Sequence, residues 1–247
     1  MPSSIENILT IQEFKELAKR RVPKMFFDYA DSGSWTETTY RENESDFQKI
    51  ALRQRVAVNM EGRSLKTEMV GQAVSMPVAL APTGLTGMQI ADGEIKAAKA
   101  AEKFGVPFTL STMSICSIED VARETSSPFW FQLYVMRDRA FIERLIDRAK
   151  AAKCSALVLT MDLQILGQRH KDIRNGLSAP PKFTAKHVWQ MASRPSWALG
   201  MLGTQRRSFG NLVGHVDNLG DLRQLSAWTS SQFDPTLSWT DIAWVKE

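Results

Sequence analysis

Four short apolar runs, each closing on a polar residue, constrain the fold of this chain more than any other feature: 77–83 (PVALAPT), 108–111 (FTLS), 129–134 (FWFQLY) and 156–162 (ALVLTMD). Stretches with helical spacing separate them. Residues 91–104 are rich in Ala, Lys and Glu and stop at Gly105, a residue suited to the position after a helix C-terminus. Residues 117–125 open with Ser117 three before Asp120, the spacing of a capping box, and residues 138–152 set Phe141, Leu145 and Ala149 on one helical face. Apolar strands alternating with amphipathic helices are the pattern of βα units around a parallel sheet, whose functional groups gather where the strands end. Thr83, Ser111, Gln132, Tyr134, Thr160 and Asp162 are therefore expected to converge on one pocket.

A closed barrel of such units uses eight strands in roughly 250 residues. This chain spends 247 residues on four. Residues 1–70 read as a helical region, opened by a Thr10/Glu13 capping box and carrying the basic turn Lys19-Arg20-Arg21. Residues 163–237 read as a long excursion, with Pro180-Pro181 marking extended structure at its start. Ser238 and Asp241 then cap a last helix. The whole is expected to be one domain, 1–247, incomplete at its C-terminus: a helical region (1–70), the first four barrel strands (71–162), a basic flap rich in aromatics (163–237) and the start of the next helix (238–247). The first and fourth strands would present unpaired edges, a liability for association or aggregation.

Composition excludes some classes. A hydrophobic share of 43% and a charged share of 23% are ordinary for a soluble globular protein. No apolar segment reads as an export signal or a bilayer span. Cys116 and Cys154 lack metal-ligand spacing and read as reduced structural thiols, which favours a cytoplasmic setting without a metal site. Gly84-Leu85-Thr86-Gly87 is too sparse for a phosphate loop. Charge informs only when divided: residues 163–223 hold nine Lys or Arg against three Asp, although the chain as a whole is only +4. With Trp189, Met191, Trp197, Leu199, Met201, Leu202 and Phe209 interleaved, this segment suits an anionic membrane surface; equally, it suits a flap whose aromatics pack on the barrel while its cations are solvated. No nucleic-acid motif accompanies the charge.

The segments Pro23-Lys24-Met25-Phe26-Phe27-Asp28-Tyr29-Ala30-Asp31-Ser32-Gly33, Met76-Pro77-Val78-Ala79-Leu80-Ala81-Pro82-Thr83-Gly84, Leu110-Ser111-Thr112, Phe131-Gln132-Leu133-Tyr134 and Thr160-Met161-Asp162 resemble, in order and spacing, the FMN-dependent L-2-hydroxy-acid dehydrogenases and oxidases. Within that family the chain is most similar to the bacterial respiratory L-lactate dehydrogenases. The resemblance implies an α/β fold, the (β/α)8 TIM barrel of the FMN-linked type, here as the N-terminal helices and about four βα units. It implies FMN held by Pro82, Thr83, Gly84, Ser111, Gln132 and Thr160. Tyr29 and Tyr134 match tyrosines that touch substrate, Tyr134 also counting among the catalytic groups, and Arg169 matches an arginine that binds the substrate carboxylate. Asp162 matches the aspartate that pairs with the catalytic histidine. Gly84 departs from the common Ala, and Met113 stands where oxidases often carry Trp, which favours the dehydrogenase branch.

These residue types suit the chemistry. An Arg fork fixes a carboxylate in direction and position, and a carboxylate beside a base stabilises the cation the base becomes. By the resemblance, the base, a second Arg and a flavin-side Lys follow later strands, whereas His170, His187 and His215 all fall in the excursion. The implied activity is oxidation of L-lactate to pyruvate, or of another 2-hydroxy acid such as glycolate or mandelate. Electrons would pass to a respiratory acceptor such as a quinone. The implied setting is peripheral, on the inner face of the cytoplasmic membrane, with contact through 177–223 and a homo-oligomer when complete. The chain alone is expected neither to bind FMN tightly nor to turn over. Two other classes stay open: a catalytically dead half barrel that pairs its edges with a partner or a second copy, and an unstable product of a truncated reading frame. Without the resemblance, Tyr29 and Tyr134 read as interior aromatics, Asp162 as a loop cap and Arg169 as a surface residue.

Overall fold

In the computed structural model, the described residues are 5–162, 165, 167–177, 184–215, 228, 231–232 and 234–246. Helix α1 (Ile11–Arg21) starts where the Thr10 hydroxyl accepts the Glu13 N–H and the Glu13 carboxylate accepts the Thr10 N–H, so two helix-end donors are satisfied reciprocally. Helix α2 (Lys24–Ala30) follows Pro23 and buries Met25, Phe26, Phe27 and Asp28; α3 (Thr38–Ser45) is short. The helical expectation for 1–70 fails beyond this point. Residues 50–66 are exposed and carry no helix or strand: Leu52, Val56 and Met60 stand four residues apart, but all three are exposed, so no packed face supports a helix here. Strands β1 (Thr67–Met69) and β2 (Gln72–Val74) then form an antiparallel hairpin. Its two turn residues, Val70 and Gly71, both take positive φ (49° and 74°), the twist that a two-residue hairpin loop requires.

The central sheet is parallel, in the order β3 (Thr109–Ser111), β4 (Trp130–Tyr134), β5 (Ala156–Thr160). The run at 77–83 was expected to be a full strand beside it. It instead makes a single parallel bridge, Leu80 to Phe108, because Pro77 and Pro82 flank it without N–H groups and only Leu80 completes both ladder bonds, to Pro107 O and from Thr109 N–H. After the short α4 (Thr86–Gln89), helices α5 (Gly93–Phe104), α6 (Ile118–Glu124) and α7 (Arg139–Ala151) fall where helical spacing places them. Gly105 ends α5 at φ 78°, and Ser117 and Asp120 cap α6 reciprocally. The core lies between this sheet and its helices: Leu110, Phe131 and Leu133 from strands meet Ile118, Val121, Phe141, Ile142 and Leu145 from helices, all fully buried.

Among its described residues the excursion carries α8 (His170–Arg174), α9 (Ala185–Ala192) and α10 (Pro195–Gly203), followed at 204–215 by a segment without regular structure. Pro180-Pro181 lie outside the described residues. The aromatics divide between the two readings of this segment. Trp197 stacks on Phe26 with centroids 5.7 Å apart and donates its indole N–H to Met88 O at 2.8 Å, and Met201 is buried. Trp189, Leu199 and Leu202 are each 70% exposed or more. Helix α11 (Thr240–Lys246) is capped by Asp241, whose carboxylate accepts the Ser238 N–H. Cys116 and Cys154 are free thiols, and burial pushes the Cys154 thiol up to about 12.

An ion pair ties α6 to α7: Arg148 grips both Glu119 oxygens at 2.7 and 2.8 Å and holds that carboxyl down to about 2. Because the folded value lies below the unfolded 4.5, this stability is present above pH 4.5 and is lost as pH falls through that window. Glu119 is about half exposed, so Glu119→Gln is expected to cost about 1 kcal/mol at pH 7 and little at pH 2. Urea unfolding at both pH values checks this; an equal loss at both contradicts it.

Candidate active site

The register of the parallel sheet sets Ser111 beside Gln132 and Tyr134 beside Thr160. At these strand ends the side chains form a continuous chain. The Ser111 hydroxyl donates to Gln132 Oε1 at 3.2 Å, and Gln132 Nε2 donates to Thr160 Oγ1 at 2.7 Å. Oε1 also accepts the Thr112 N–H at 3.3 Å, which fixes the orientation of the amide. Thr112 Oγ1 donates to Gln132 O at 2.6 Å, and the Met113 N–H donates to Ser111 Oγ at 3.1 Å. Ser111 and Gln132 are buried and Thr160 is partly exposed. Three short strands thus present one ordered polar edge whose members span 49 positions of sequence.

A second group comes from α2 and the start of α8. The Arg169 guanidinium lies over the Tyr29 ring, 4.7 Å from its centroid. Its Nη2 donates to Ser32 Oγ at 2.8 Å and to Tyr29 O, and its Nε pairs with Asp172 Oδ2 at 2.7 Å. Asp172 is buried, and desolvation raises its carboxyl while Arg169 opposes that rise. Asn175, one turn on, donates to Asp28 at 2.7 Å. Arg169 is therefore a held cation with a fixed direction, unlike a surface arginine.

The two groups meet at Gly84 and Tyr134. A Cβ on Gly84 would stand 3.0 Å from the Tyr29 hydroxyl and 3.4 Å from Met113 Cβ, so the missing side chain admits Tyr29 to the loop after the 77–83 run. Burial raises the Tyr29 phenol, with Arg169 pulling the other way; burial also raises the Tyr134 phenol, helped by Tyr29 and Asp162. Tyr29, Tyr134 and Asp162 thus share one electrostatic neighbourhood.

The structure brings together Tyr29, Gly84, Ser111, Gln132, Tyr134, Thr160, Asp162 and Arg169. It does not join Pro82 and Thr83 to the polar edge: both are exposed, and the Thr83 hydroxyl turns to Ala81 O of its own loop at 3.5 Å. Among the described residues Asp162 makes no hydrogen bond or ion pair. His187 accepts the Thr184 N–H at the start of α9, His170 meets the Trp35 ring edge-on, and His215 is exposed. Sequence reasoning missed Thr112, Asp172 and Asn211. Asp172 had a signal, since it stands three residues after Arg169 at the opening of a helix, where such pairs meet. Asn211 had none.

Comparison with known proteins shows the family. The family model described as FMN-dependent dehydrogenase matches residues 18–247. The L-lactate dehydrogenase of Pseudomonas entomophila (strain L48) is 44% identical over 237 residues, covering 95% of this chain and 62% of that protein. The L-lactate dehydrogenase of Acinetobacter baylyi is 43% identical over 242 residues, covering 97% and 62%. Among solved structures, the monotopic membrane protein (S)-mandelate dehydrogenase superposes with a TM-score of 0.88 at 33% identity, covering 97% of this chain and 64% of that one. A lactate oxidase of Pediococcus acidilactici gives 0.66 at 30% identity, covering 75% and 52%. The chain spans about 62% of the length of the curated relatives it matches, and its parallel sheet is part of their TIM-barrel type of fold. By the family model, by these relatives and by the polar strand ends, the chain belongs to the FMN-dependent dehydrogenase family.

Proposed function

We propose that this chain carries the flavin-facing strands and substrate-facing tyrosines of an enzyme that oxidises an L-2-hydroxy acid, L-lactate to pyruvate, and passes the electrons to a respiratory acceptor such as a quinone. The observation that carries this reading is the Ser111–Gln132–Thr160 chain of hydrogen bonds beside Gly84 and Tyr29. The residues fit FMN. The strand ends offer hydroxyl and amide groups of both polarities, and Gly84, lacking a side chain, lets the Tyr29 hydroxyl approach its loop. Pro82 and Thr83 would complete the contact from the exposed loop. When bound, FMN supplies the acceptor for two electrons.

The chain's own residues would do the rest. Arg169, aimed by Asp172 and Ser32, would grip the substrate carboxylate and so orient C2. Tyr29 and Tyr134, held protonated by burial, would donate hydrogen bonds to substrate oxygens. Asp162 would stabilise the cation formed when an imidazole base takes the hydroxyl proton. Glycolate and mandelate are the alternative substrates, the second in keeping with the (S)-mandelate dehydrogenase likeness.

Titration of the purified chain with FMN, followed by L-lactate, tests this reading. Weak but saturable quenching of FMN fluorescence is expected, without bleaching by L-lactate, because no described histidine pairs with Asp162. Absence of saturable binding contradicts the flavin assignment. Bleaching contradicts the assignment of the base to a group other than the described ones.

We place the enzyme on the cytoplasmic side of a membrane, peripherally, with α9 and α10 as the contact and a homo-oligomer as the working form. Exposed Val188, Trp189, Leu199 and Leu202 with Lys186, Arg194 and Arg207 support this, as does the monotopic relative. No helix among the described residues is long and apolar enough to cross a membrane. Changing Trp189 and Leu202 together to Asp is expected to weaken binding to phosphatidylglycerol vesicles by about tenfold or more, given the apolar area removed. Unchanged co-sedimentation with vesicles contradicts the assignment.

A second reading rests on the exposed apolar side chains at the two flanks of the sheet, Val78, Leu80 and Leu157. Association of these edges with a partner or a second copy would yield a discrete oligomer by analytical ultracentrifugation.

A further inference from the structure

We propose that Asn211, in the segment after α10, is a positioning residue through which the flap sets the flavin-facing end of β3. Asn211 is completely buried although it lies in a segment without regular structure. Its Nδ2 donates to Ser111 O at 3.3 Å, Thr112 O at 3.4 Å and Ser114 Oγ at 3.0 Å. Its Oδ1 accepts the Ile118 N–H at 3.0 Å, a helix-end donor of α6, and Arg148 Nη2 at 3.3 Å. One amide about 100 residues away in sequence thus joins the end of β3, the following turn, the start of α6 and α7.

The backbone around it is built for this contact. Gly210 donates its N–H to Ser114 O at 3.3 Å. A Cβ on Gly210 would stand 2.7 Å from both Ile115 O and Ser117 N, so only glycine lets the segment lie this close to the turn. Leu212, next along, is fully buried in the core. The segment is seated on both sides of Asn211, and the amide faces Ser111 and Thr112, the residues whose hydroxyl and N–H meet Gln132 Oε1.

The two ends of the amide have separable jobs. Oδ1 holds α6 and α7 together, which any structural asparagine could do. Nδ2 alone reaches the two carbonyls that follow β3. Asn211→Asp keeps an acceptor for Ile118 and Arg148 but turns an oxygen toward Ser111 O, Thr112 O and Ser114 Oγ. Arg148→Met does the reverse: it removes the α7 bonds and leaves the Nδ2 donors in place.

The experiment compares the full chain with these two variants by amide hydrogen exchange without flavin and by FMN titration; only the second readout rests on the proposed function. Asn211→Asp is expected to raise exchange at Thr112 and Met113 and around Gln132 by about tenfold and to weaken FMN binding by a similar factor, since the loss of one or two donors is worth about a decade in an equilibrium. Arg148→Met is expected to lower the melting temperature but leave exchange at those residues and the FMN affinity within about twofold. Wild-type-like exchange at Thr112, Met113 and Gln132 in Asn211→Asp, or the same change in both variants, would overturn the proposal. If Asn211→Asp fails to fold, Asn211→Ser, which retains a small donor, is expected to give an intermediate exchange rate at the same residues, and a wild-type rate overturns the proposal. If the wild-type chain binds no FMN while exchange responds as expected, the positioning role stands and the flavin assignment falls.

Discussion

Gln132→Leu is expected to weaken FMN binding by at least about thirtyfold and to lower the unfolding free energy by about 1–3 kcal/mol, because it removes the side-chain partner of the buried Ser111 hydroxyl and of Thr160 and leaves the Thr112 N–H only its backbone bond to Gln132 O. Leucine is close to glutamine in size and lacks its polar atoms, so the change acts mainly through hydrogen bonding. Gln132 is 2% exposed, and its amide accepts from Ser111 Oγ and the Thr112 N–H while donating to Thr160. Removing it leaves the Thr112 N–H buried without its side-chain acceptor and frees the Ser111 hydroxyl to rotate. The polar edge proposed to face the flavin would then lose both its members and its geometry. Thr160→Val, at a partly exposed position with one bond, is the milder companion, with an expected loss of about threefold in affinity. FMN fluorescence titration with urea unfolding on the same samples measures both effects. Wild-type affinity in a folded Gln132→Leu chain would show that the strand ends do not hold the flavin.

Phe131→Ala is expected to cost about 3–5 kcal/mol, through lost transfer energy plus the cavity left behind. Phe131 lies in the middle of β4, paired to Leu110 on one side and Leu157 on the other, with no exposed surface. Domains of this size are stable by only about 5–15 kcal/mol, so the variant should also accumulate poorly in soluble form. Phe104→Ala, at a residue 63% exposed, is expected to change stability by less than about 0.5 kcal/mol. Chemical denaturation of both variants checks the contrast, and a small loss at Phe131 would mean that the sheet and helices do not share one core.

How far the sequence could be read depended on the range of the interaction involved. Helices α5, α6 and α7 were legible because helical periodicity, the Ser117/Asp120 box and Gly105 are local signals that agree with the packing. Strands β3, β4 and β5 were legible as apolar runs bounded by turns. The 77–83 run misled, since its composition suits a strand while its two prolines remove the ladder donors. Residues 50–66 misled in the other direction: a region that starts with a capped helix gave no signal of where regular structure stops.

In the site, Ser111, Gln132, Tyr134 and Thr160 were placed by the rule that strand ends converge, and the register brings them together. Tyr29 and Arg169 came only from the resemblance, because their contact spans 140 positions of sequence. Thr83 shows the limit of the strand-end rule, for without a full strand beneath it the side chain stays with its own loop. Asn211 shows a different limit, because a buried asparagine in a coil segment looks like any turn residue until the partners on β3 and α6 are known.

A chemical-shift map of the isotopically labelled chain on addition of FMN tests the central claim most directly. The account predicts the largest changes at Gly84, Ser111, the Gln132 side-chain amide and Thr160, with Tyr29 responding through Gly84. Changes confined to another surface, such as the polar cleft lined by Asp92, Asp120 and Arg206, or no changes at saturating FMN, would contradict it.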